Sequence, residues 1–535
     1  MSSVFLLISA TIILVFIAKS LHGLILRRQS PLNRLRGPRS ESVIFGHSKL
    51  LEASFPFLHT KWFEEYGPTM RTAGILSVPQ LYTTDLRLLN HVLSHSTDYF
   101  RPPEGRKFLT EILGQGEQHR HQRHVMNPAF GPAQIREFTG IFLEKAARLC
   151  DYWNYQIASQ DGMLRTDVMS GISKMTLDVI GLAGFNYEFD ALNTEKPLNE
   201  LSVAFEEIFK SPPQITVGEI LKNLIPVLGR IRDSRAKKVA AARATMQRIG
   251  TQLLHERKAE IMRQYGEEGT GAVEKKDVQG RDLLTLLIKA NMATDIPDSQ
   301  RLTDEEVIAQ VPTFLVAGHE TTSTSTTWCL YALCKHPEMQ QRLREELLVV
   351  PTDMPTMEEL NALPYLDLIV RETLRLHSPV TLTSRVAMRD DVLPLSAPVK
   401  DMHGNVLNKL PILEGLRIFI PILALHTSKG VWGEDALEFK PERWQNPPKS
   451  ISAIPGVWGN LLTFLGGAHA CIGYRFSLVE MKAIVFMLIR NFEFELAVPA
   501  EEIVPIGSFL QRPALRSDQG EGSQLPLIIR PYRHA

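Results

Sequence analysis

The chain has 535 residues, 59 basic and 59 acidic side chains, and 44% hydrophobic residues. Those proportions describe a folded protein with a large core and exclude a disordered or collagen-like chain. The balanced charge leaves out the basic face that a nucleic-acid partner requires. Four cysteines (Cys150, Cys329, Cys334 and Cys471) are too few for a disulfide framework, and no Cys-x-x-Cys pair marks a zinc site, so a reducing compartment is the simpler reading.

In chain order, the first element is apolar. Val4 to Ala18 is followed, after Lys19, by a weaker apolar stretch from Leu21 to Leu26. With Lys19 snorkelling, this approaches the roughly 20 residues of a membrane span. Met1-Ser2-Ser3 carries no side-chain charge, whereas Arg27, Arg28, Arg34, Arg36 and Arg39 follow. That asymmetry keeps the following body in the cytosol and differs from the positive leader of a cleaved signal peptide. Residues 1–26 are therefore expected to form an N-terminal membrane anchor, with an interfacial helix as the alternative. Residues 27–49, basic and punctuated by Pro31, Gly37 and Pro38, read as a stiff linker. Residues 50–535 are expected to form the cytosolic globular body.

From Leu50 to Ile261 the pattern is mainly helical. Phe142, Ala146, Leu149 and Cys150 fall on one helix face. Cys150 and Cys329, in apolar helical surroundings, read as buried thiols. Gly116 to Arg123 is polar and basic, with His119 and Arg123, and precedes Pro128 and Phe130. Ser211 to Ile231 is apolar with prolines and reads as core, a membrane-dipping patch being the alternative. Gly266 to Lys276 reads as a surface loop. Thr303 and Glu306 form a capping box that opens a helix through Val307, Val311, Phe314 and Leu315, and Pro312 is expected to kink it. The helix meets Ala317-Gly318-His319-Glu320-Thr321-Thr322. Hydroxyl residues then run unbroken from Thr321 to Thr327, and such a run alone suggests a loop. Glu372 and Arg375 stand at i and i+3 on a helix. Val392 to Ile422, with the turn Met402-His403-Gly404-Asn405, reads as a small β-rich lobe.

The strongest signal is Phe464-Leu465-Gly466-Gly467-Ala468-His469-Ala470-Cys471-Ile472-Gly473. Cysteine binds a metal as thiolate, so its pKa must be lowered. Backbone amides of a glycine-rich turn and the positive end of a helix both do this. From Tyr474 to Ile489, Phe476, Val479, Ile484, Val485 and Leu488 supply the apolar face of such a helix. A buried cysteine at a strand-to-helix turn is the plainer alternative.

The segment resembles the haem-binding loop of cytochrome P450 monooxygenases, Phe-x-x-Gly-x-Arg-x-Cys-x-Gly, in Phe464, Gly467, Cys471 and Gly473. His469 stands where the family has Arg. Ala317 to Thr322 resembles the oxygen-activation segment of the family's central helix, and Glu372-x-x-Arg375 its buried pair, with Arg443 of Phe439-Lys440-Pro441-Glu442-Arg443-Trp444 as third member. The resemblance implies a mainly α fold with a small β-rich lobe and haem b between the central helix and the cysteine loop. Cys471 would ligate the iron, and Glu320 and Thr321 would deliver protons during dioxygen activation. His119, Arg123, Arg385 and His469 would contact the propionates. Ala317 and Gly318 would let the central helix lie flat on the haem. Glu372, Arg375 and Arg443 would be structural.

The implied activity is that of an EC 1.14 monooxygenase, inserting one oxygen atom of O2 into a lipophilic small molecule. By the same resemblance Phe314, Val316, Val380, Thr381, Leu382 and Phe509 line the substrate pocket, and their apolar character suits such a substrate. No Gly-x-Gly-x-x-Gly fingerprint is present for a dinucleotide. Electrons would come from a membrane-bound NADPH-cytochrome P450 reductase, with cytochrome b5 as a second candidate donor. An endoplasmic reticulum location and fungal secondary metabolism, such as terpenoid biosynthesis, are the accompanying expectations. A haem-thiolate isomerase or dehydratase, and a non-catalytic haem-binding protein, are the alternatives, and the Glu320-Thr321 pair speaks against both.

Overall fold

The computed structural model describes residues 21, 30–53, 57–106, 123, 126–193, 199–201, 203–204, 216–224, 234–266, 282–292, 301–507 and 510–532. All of the expected anchor but Leu21, the loop after Gly266, most of Ser211 to Ile231, His119 and Phe509 lie outside the described residues. One described helix, Val168–Phe185, is long and apolar enough to cross a membrane, but 78% of it is buried inside the protein.

The main body is helical. It comprises α1 (Phe57–Tyr66), α2 (Leu86–Ser94), α3 (Pro132–Ala158), α4 (Val168–Phe185), α5 (Ser234–Gly266), α6 (Asp304–Lys335), α7 (Pro337–Leu348), α8 (Pro364–Leu376) and α9 (Tyr474–Asn491). Phe142, Ala146, Leu149 and Cys150 are all buried along α3, as their helical spacing predicts. Asp167 starts α4 by accepting from Met169 N and Ser170 N, and Asn186 ends it in the left-handed region. The capping box of α6 is complete: Glu306 N donates to Thr303 Oγ1 at 3.2 Å and Thr303 N to the Glu306 carboxylate at 2.8 Å. From there α6 runs without interruption through Pro312 and through the core, packing most extensively along α4.

The hydroxyl run that suggests a loop is helical. Thr321, Ser325, Thr326 and Thr327 each donate to the carbonyl four residues back, at 2.7–2.9 Å, and Ser323 donates to Glu320 O at 3.2 Å. These five side chains satisfy their polarity on their own helix, and burial of α6 between its neighbours overrides weak intrinsic propensity.

The β lobe extends further than the Val392–Ile422 reading. Strands β1 (Thr69–Ala73), β2 (Pro79–Thr83), β3 (Tyr99–Phe100), β5 (Thr383–Ala387) and β8 (Arg417–Ile420) form one sheet in the order β1-β2-β8-β5-β3. The pairing of β2 with β8 is parallel and joins residues 81–82 to 418–419. The stretch from Leu50 therefore holds strands as well as helices. Those strands are short; β1 and β2 pair with each other, but β2, β3 and β4 (Leu164–Asp167) each take a partner from the far end of the chain. β6 (Asp391–Lys400) and β7 (Val406–Ile412) form a hairpin. Its Met402–Asn405 turn is closed by Asp401, which accepts from His403 N and Asn405 N. β4 (Leu164–Asp167), β9 (Phe492–Leu496) and β12 (Pro526–Pro531) make a third sheet, and β10 (Ile503–Ile506) pairs with β11 (Arg512–Leu515).

The segment read as a linker is docked. Leu32 and Leu35 are buried in the β-lobe core, Leu35 bridges to Asp401, and Met402 N donates to Arg34 O at 2.8 Å. Its two leucines carry that docking, and a composition dominated by Arg, Pro and Gly hides them.

Candidate functional site

Cys471 lies where an extended return meets α9. Its N–H donates to Phe464 O at 2.8 Å and closes the loop between them. Two glycines allow that closure. A methyl group on Gly467, whose φ is +67°, would stand 2.2 Å from Leu93 O, and one on Gly466 would stand 1.6 Å from Pro455 O. Gly473 differs: a methyl there would meet the Phe130 ring at an ordinary 3.7 Å, and the residue caps α9. Phe464 is buried, with its ring centroid 5.8 Å from that of Trp458 and 6.1 Å from that of Tyr474.

Among the cysteines, Cys150 and Cys329 are buried, Cys334 is half-buried and Cys471 is exposed. Cys471 is nonetheless surrounded deeply by protein, and desolvation raises its thiol pKa against the opposing effects of the Gly473 N–H and the Arg123 charge. Its side chain is thus reachable by solvent although its surroundings are mostly protein. The loop amide acts in the direction expected from sequence, but burial outweighs it. Ionisation is then the work of a metal, since a coordinating thiol is deprotonated outright.

A second accessible strip lies on α6. Ala317 is exposed, and Thr313 and Thr321, four residues to either side, are partly exposed, while Thr322 to Leu330 are buried. The Thr321 hydroxyl donates to Ala317 O at 2.7 Å. The two strips are tied together. Thr322 Oγ1 and Ser477 Oγ, the latter in the first turn of α9, are 3.0 Å apart. Phe130 touches the Gly473 position and packs on Phe314 with centroids 5.7 Å apart. Gly318 does not serve this strip. A methyl there would stand 2.9 Å from Ile180 of α4, so its smallness sets helix packing and only Ala317 fits the flat-contact expectation.

Glu320 is buried in an ion pair with Arg512 of β11, and His319 Nε2 is 3.3 Å from its Oε1. Burial alone would raise its pKa; His319 and Arg512 together bring it below the ordinary carboxylate value. Neither partner is announced by sequence. Arg512 stands 192 positions away, and a histidine beside a glutamate on a helix carries no signal of contact.

The remaining candidates separate. Arg123 Nη1 donates to Ala468 O at 3.1 Å, so this cation sits on the cysteine loop. His469 is half-buried in the short 3-10 turn Gly467–His469. Arg385 is buried within β5, its Nη1 bonded to Thr383 Oγ1 at 3.2 Å and Ser384 O at 2.9 Å. Phe314 is buried between Phe130 and Phe185, and Val316 is half-buried. Val380 leans on the β-lobe core, Thr381 is buried, and Leu382 packs with Tyr82 and Phe419.

Glu372, Arg375 and Arg443 meet in one buried cluster. The Glu372 carboxylate accepts from Arg375 Nε (2.9 Å) and Nη2 (2.7 Å), Arg443 Nε (3.0 Å), Lys440 N (2.9 Å) and Trp444 Nε1 (3.0 Å). Asp435, unremarkable in sequence, accepts from Arg443 Nη1 at 2.8 Å and gives the second guanidinium its own counter-charge. Arg375 also reaches His426 O at 2.8 Å and Glu438 O at 3.0 Å, tying α8 to the segment that leads into the cysteine loop.

Comparison with known proteins matches residues 36–515 to the family model described as cytochrome P450. The chain is 54% identical over 511 residues, covering 94% of it and 93% of the relative, to cytochrome P450 monooxygenase 205 of Postia placenta. It is 51% identical over 520 residues (95% and 94%) to cytochrome P450 monooxygenase 128 of the same fungus. It is 34% identical over 523 residues (95% and 94%) to cytochrome P450 monooxygenase claW of Ampulloclitocybe clavipes.

Proposed function

The chain belongs to the cytochrome P450 family and is a monooxygenase of the EC 1.14 type, and on that premise we propose that it oxidises a lipophilic small molecule in fungal secondary metabolism, with Cys471 as the thiolate that would hold haem b. The family implies the haem-thiolate cofactor and the need for a redox partner. The observation that carries the assignment to these residues is that the exposed Cys471 and the accessible Ala317–Thr321 strip belong to segments tied together through Thr322 and Ser477.

The residues present fit a haem. The thiol is reachable, the helix strip opposes no bulk at Ala317, and the Arg123 cation on the loop suits an anionic cofactor edge. When bound, the haem supplies reductive activation of dioxygen and oxygen transfer to carbon. Everything else is the chain's own work. Gly466 and Gly467 let the loop close tightly and hold Sγ in place. Thr321, its proton committed to Ala317 O, leaves oxygen lone pairs to accept a hydrogen bond. Glu320, held ionised, serves as a proton acceptor and, once protonated, as a donor. The Glu372 cluster fixes the approach to the loop.

The apolar side chains of Phe314, Val316, Val380 and Leu382 support a lipophilic substrate. The fungal source of the compared monooxygenases supports the biological setting, terpenoids being the first compounds to try. We assign residues 1–26 as an endoplasmic reticulum anchor from their apolarity and the arginines that follow. A membrane-bound NADPH-cytochrome P450 reductase, with cytochrome b5 as auxiliary, is the matching electron source. The test is the reduced, carbon-monoxide-bound spectrum of the full chain. A red-shifted Soret band that Cys471→Ser abolishes is expected, and a histidine-type spectrum overturns the ligand assignment. Turnover of terpenoids but not of polar metabolites, with reductase and NADPH, is the expected substrate outcome; the reverse rejects the proposed substrate class.

A further inference from the structure

His319 has no assigned role, yet its ring is buried between two acceptors. Nδ1 lies 3.2 Å from Leu315 O, and Nε2 lies 3.3 Å from Glu320 Oε1. A backbone carbonyl only accepts, and so does an ionised carboxylate. A neutral imidazole has one N–H and one lone pair, so it would turn a lone pair toward one of these oxygens. The geometry is satisfied when the His319–Glu320 pair holds one proton more than a neutral imidazole and a carboxylate carry between them. Arg512, ion-paired with the other oxygen of Glu320, decides where that proton rests. A guanidinium is always charged and favours the ionised carboxylate beside it.

We propose that His319, Glu320 and Arg512 form a proton store beside Thr321, with Arg512 holding Glu320 as carboxylate and the spare proton resting on His319. His319 and Arg512 are positioning residues that act through Glu320. On discharge the proton leaves Nε2 for Oε1, giving a neutral imidazole and a carboxylic acid. The acid donates its proton beside Thr321, and the pair takes up a replacement proton from water.

The architecture around Arg512 supports a defined position. Gln511, its neighbour, is pinned twice: Gln511 N donates to Pro379 O at 2.9 Å, and Trp328 Nε1 of α6 donates to Gln511 O at 3.0 Å. The arginine therefore projects from a backbone anchored to the same helix that carries Glu320. The α4 residue at this point is Thr176, whose hydroxyl donates to His319 O at 3.3 Å. Glu480 of α9 faces Thr322, and burial pushes its carboxyl well above the ordinary value, favouring its neutral form.

The role in proton delivery rests on the monooxygenase reading; the protonation state itself does not, and it is measured without turnover. Nitrogen-15 spectra of histidine-labelled, full-length, reduced carbon-monoxide-bound protein, with the His319 signal identified by its loss in His319→Gln, should place both ring nitrogens together at neutral pH, as in imidazolium. Widely split nitrogens overturn the store even when the Soret band proves thiolate ligation. With reductase and NADPH, product formed per NADPH should fall as pH rises and the store loses its proton. The Arg512→Gln substitution removes the positive charge that favours the deprotonated pair, so this fall should move to higher pH, and Arg512→Lys should restore it. His319→Gln should abolish that limb and release more peroxide. A pH profile unchanged in both His319→Gln and Arg512→Gln overturns the proposal.

Discussion

Replacing Glu372 with glutamine removes one negative charge from a site that holds two guanidiniums. Glu372 and Arg375 are fully buried, and Arg443 is 6% exposed. The carboxylate accepts five hydrogen bonds, three on Oε1 and two on Oε2. An amide of the same shape must place its NH2 group on one side, facing two or three donors. Arg443 keeps Asp435, but Arg375 is left with backbone carbonyls alone. Breaking a buried pair in this way costs about 3–5 kcal/mol, most of it the penalty of an uncompensated buried charge. The hydrogen bonds lost are part of that sum and are not added to it. Urea unfolding followed by tryptophan fluorescence measures it, since Trp432 and Trp444 meet edge to face at the cluster with centroids 5.4 Å apart. The control is Glu200→Gln, which breaks an exposed pair with Arg248 and should change nothing measurable. A Glu372→Gln protein within about 1 kcal/mol of the parent would refute the reasoning, because the cluster would then tolerate its own lost charge.

Thr321→Ala should leave the fold and the Soret band intact while diverting NADPH into peroxide; unchanged product per NADPH removes Thr321 from proton delivery. Gly467→Ala forces a side chain into φ +67° and against Leu93 O. It should cost at least about 1–2 kcal/mol from the backbone alone and lower the haem content of purified protein, and full haem occupancy with an unchanged melting temperature contradicts it. His426 accepts from Leu462 N at 2.9 Å through Nε2, and burial lowers its pKa to about 3 from the ordinary 6.5. Between those values the unfolded chain binds a proton that the folded chain refuses, so stability should decline as pH falls from about 6.5 toward about 3. His377, stacked on Trp328 and also lowered to about 3, adds in the same direction. Denaturation midpoints across this window should slope less in His426→Gln, and an identical slope rules His426 out as a source.

Several local features follow directly from residue order. The capping box at Thr303 and Glu306, the buried face of α3, the Met402–Asn405 turn and the helix after Gly473 form from neighbours a few positions apart. Glu372 and Arg375 are on one face because a helix places i and i+3 together. Other expectations met a competing force. The Thr321–Thr327 run is a weak helix former that burial keeps helical. Gly318 is small for Ile180 and not for the accessible strip. The segment after Ser30 docks through two leucines that its charge obscures.

The sequence by itself determined the family motifs, the mainly helical class and the position of the one cysteine set among glycines, because each depends on local spacing. Tertiary structure alone decided that β2 pairs with β8, that Asp435 completes the Arg443 site, and that Glu320 lies between His319 and Arg512. It also decided that Cys471 is solvent-reachable while deep within the protein. The physical reason is common to all four. Hydrogen bonding, desolvation and Coulomb interaction act over a few ångströms of space, and position along the chain does not give those distances, whether the partners are 192 residues apart, as Glu320 and Arg512 are, or only 8, as Asp435 and Arg443 are.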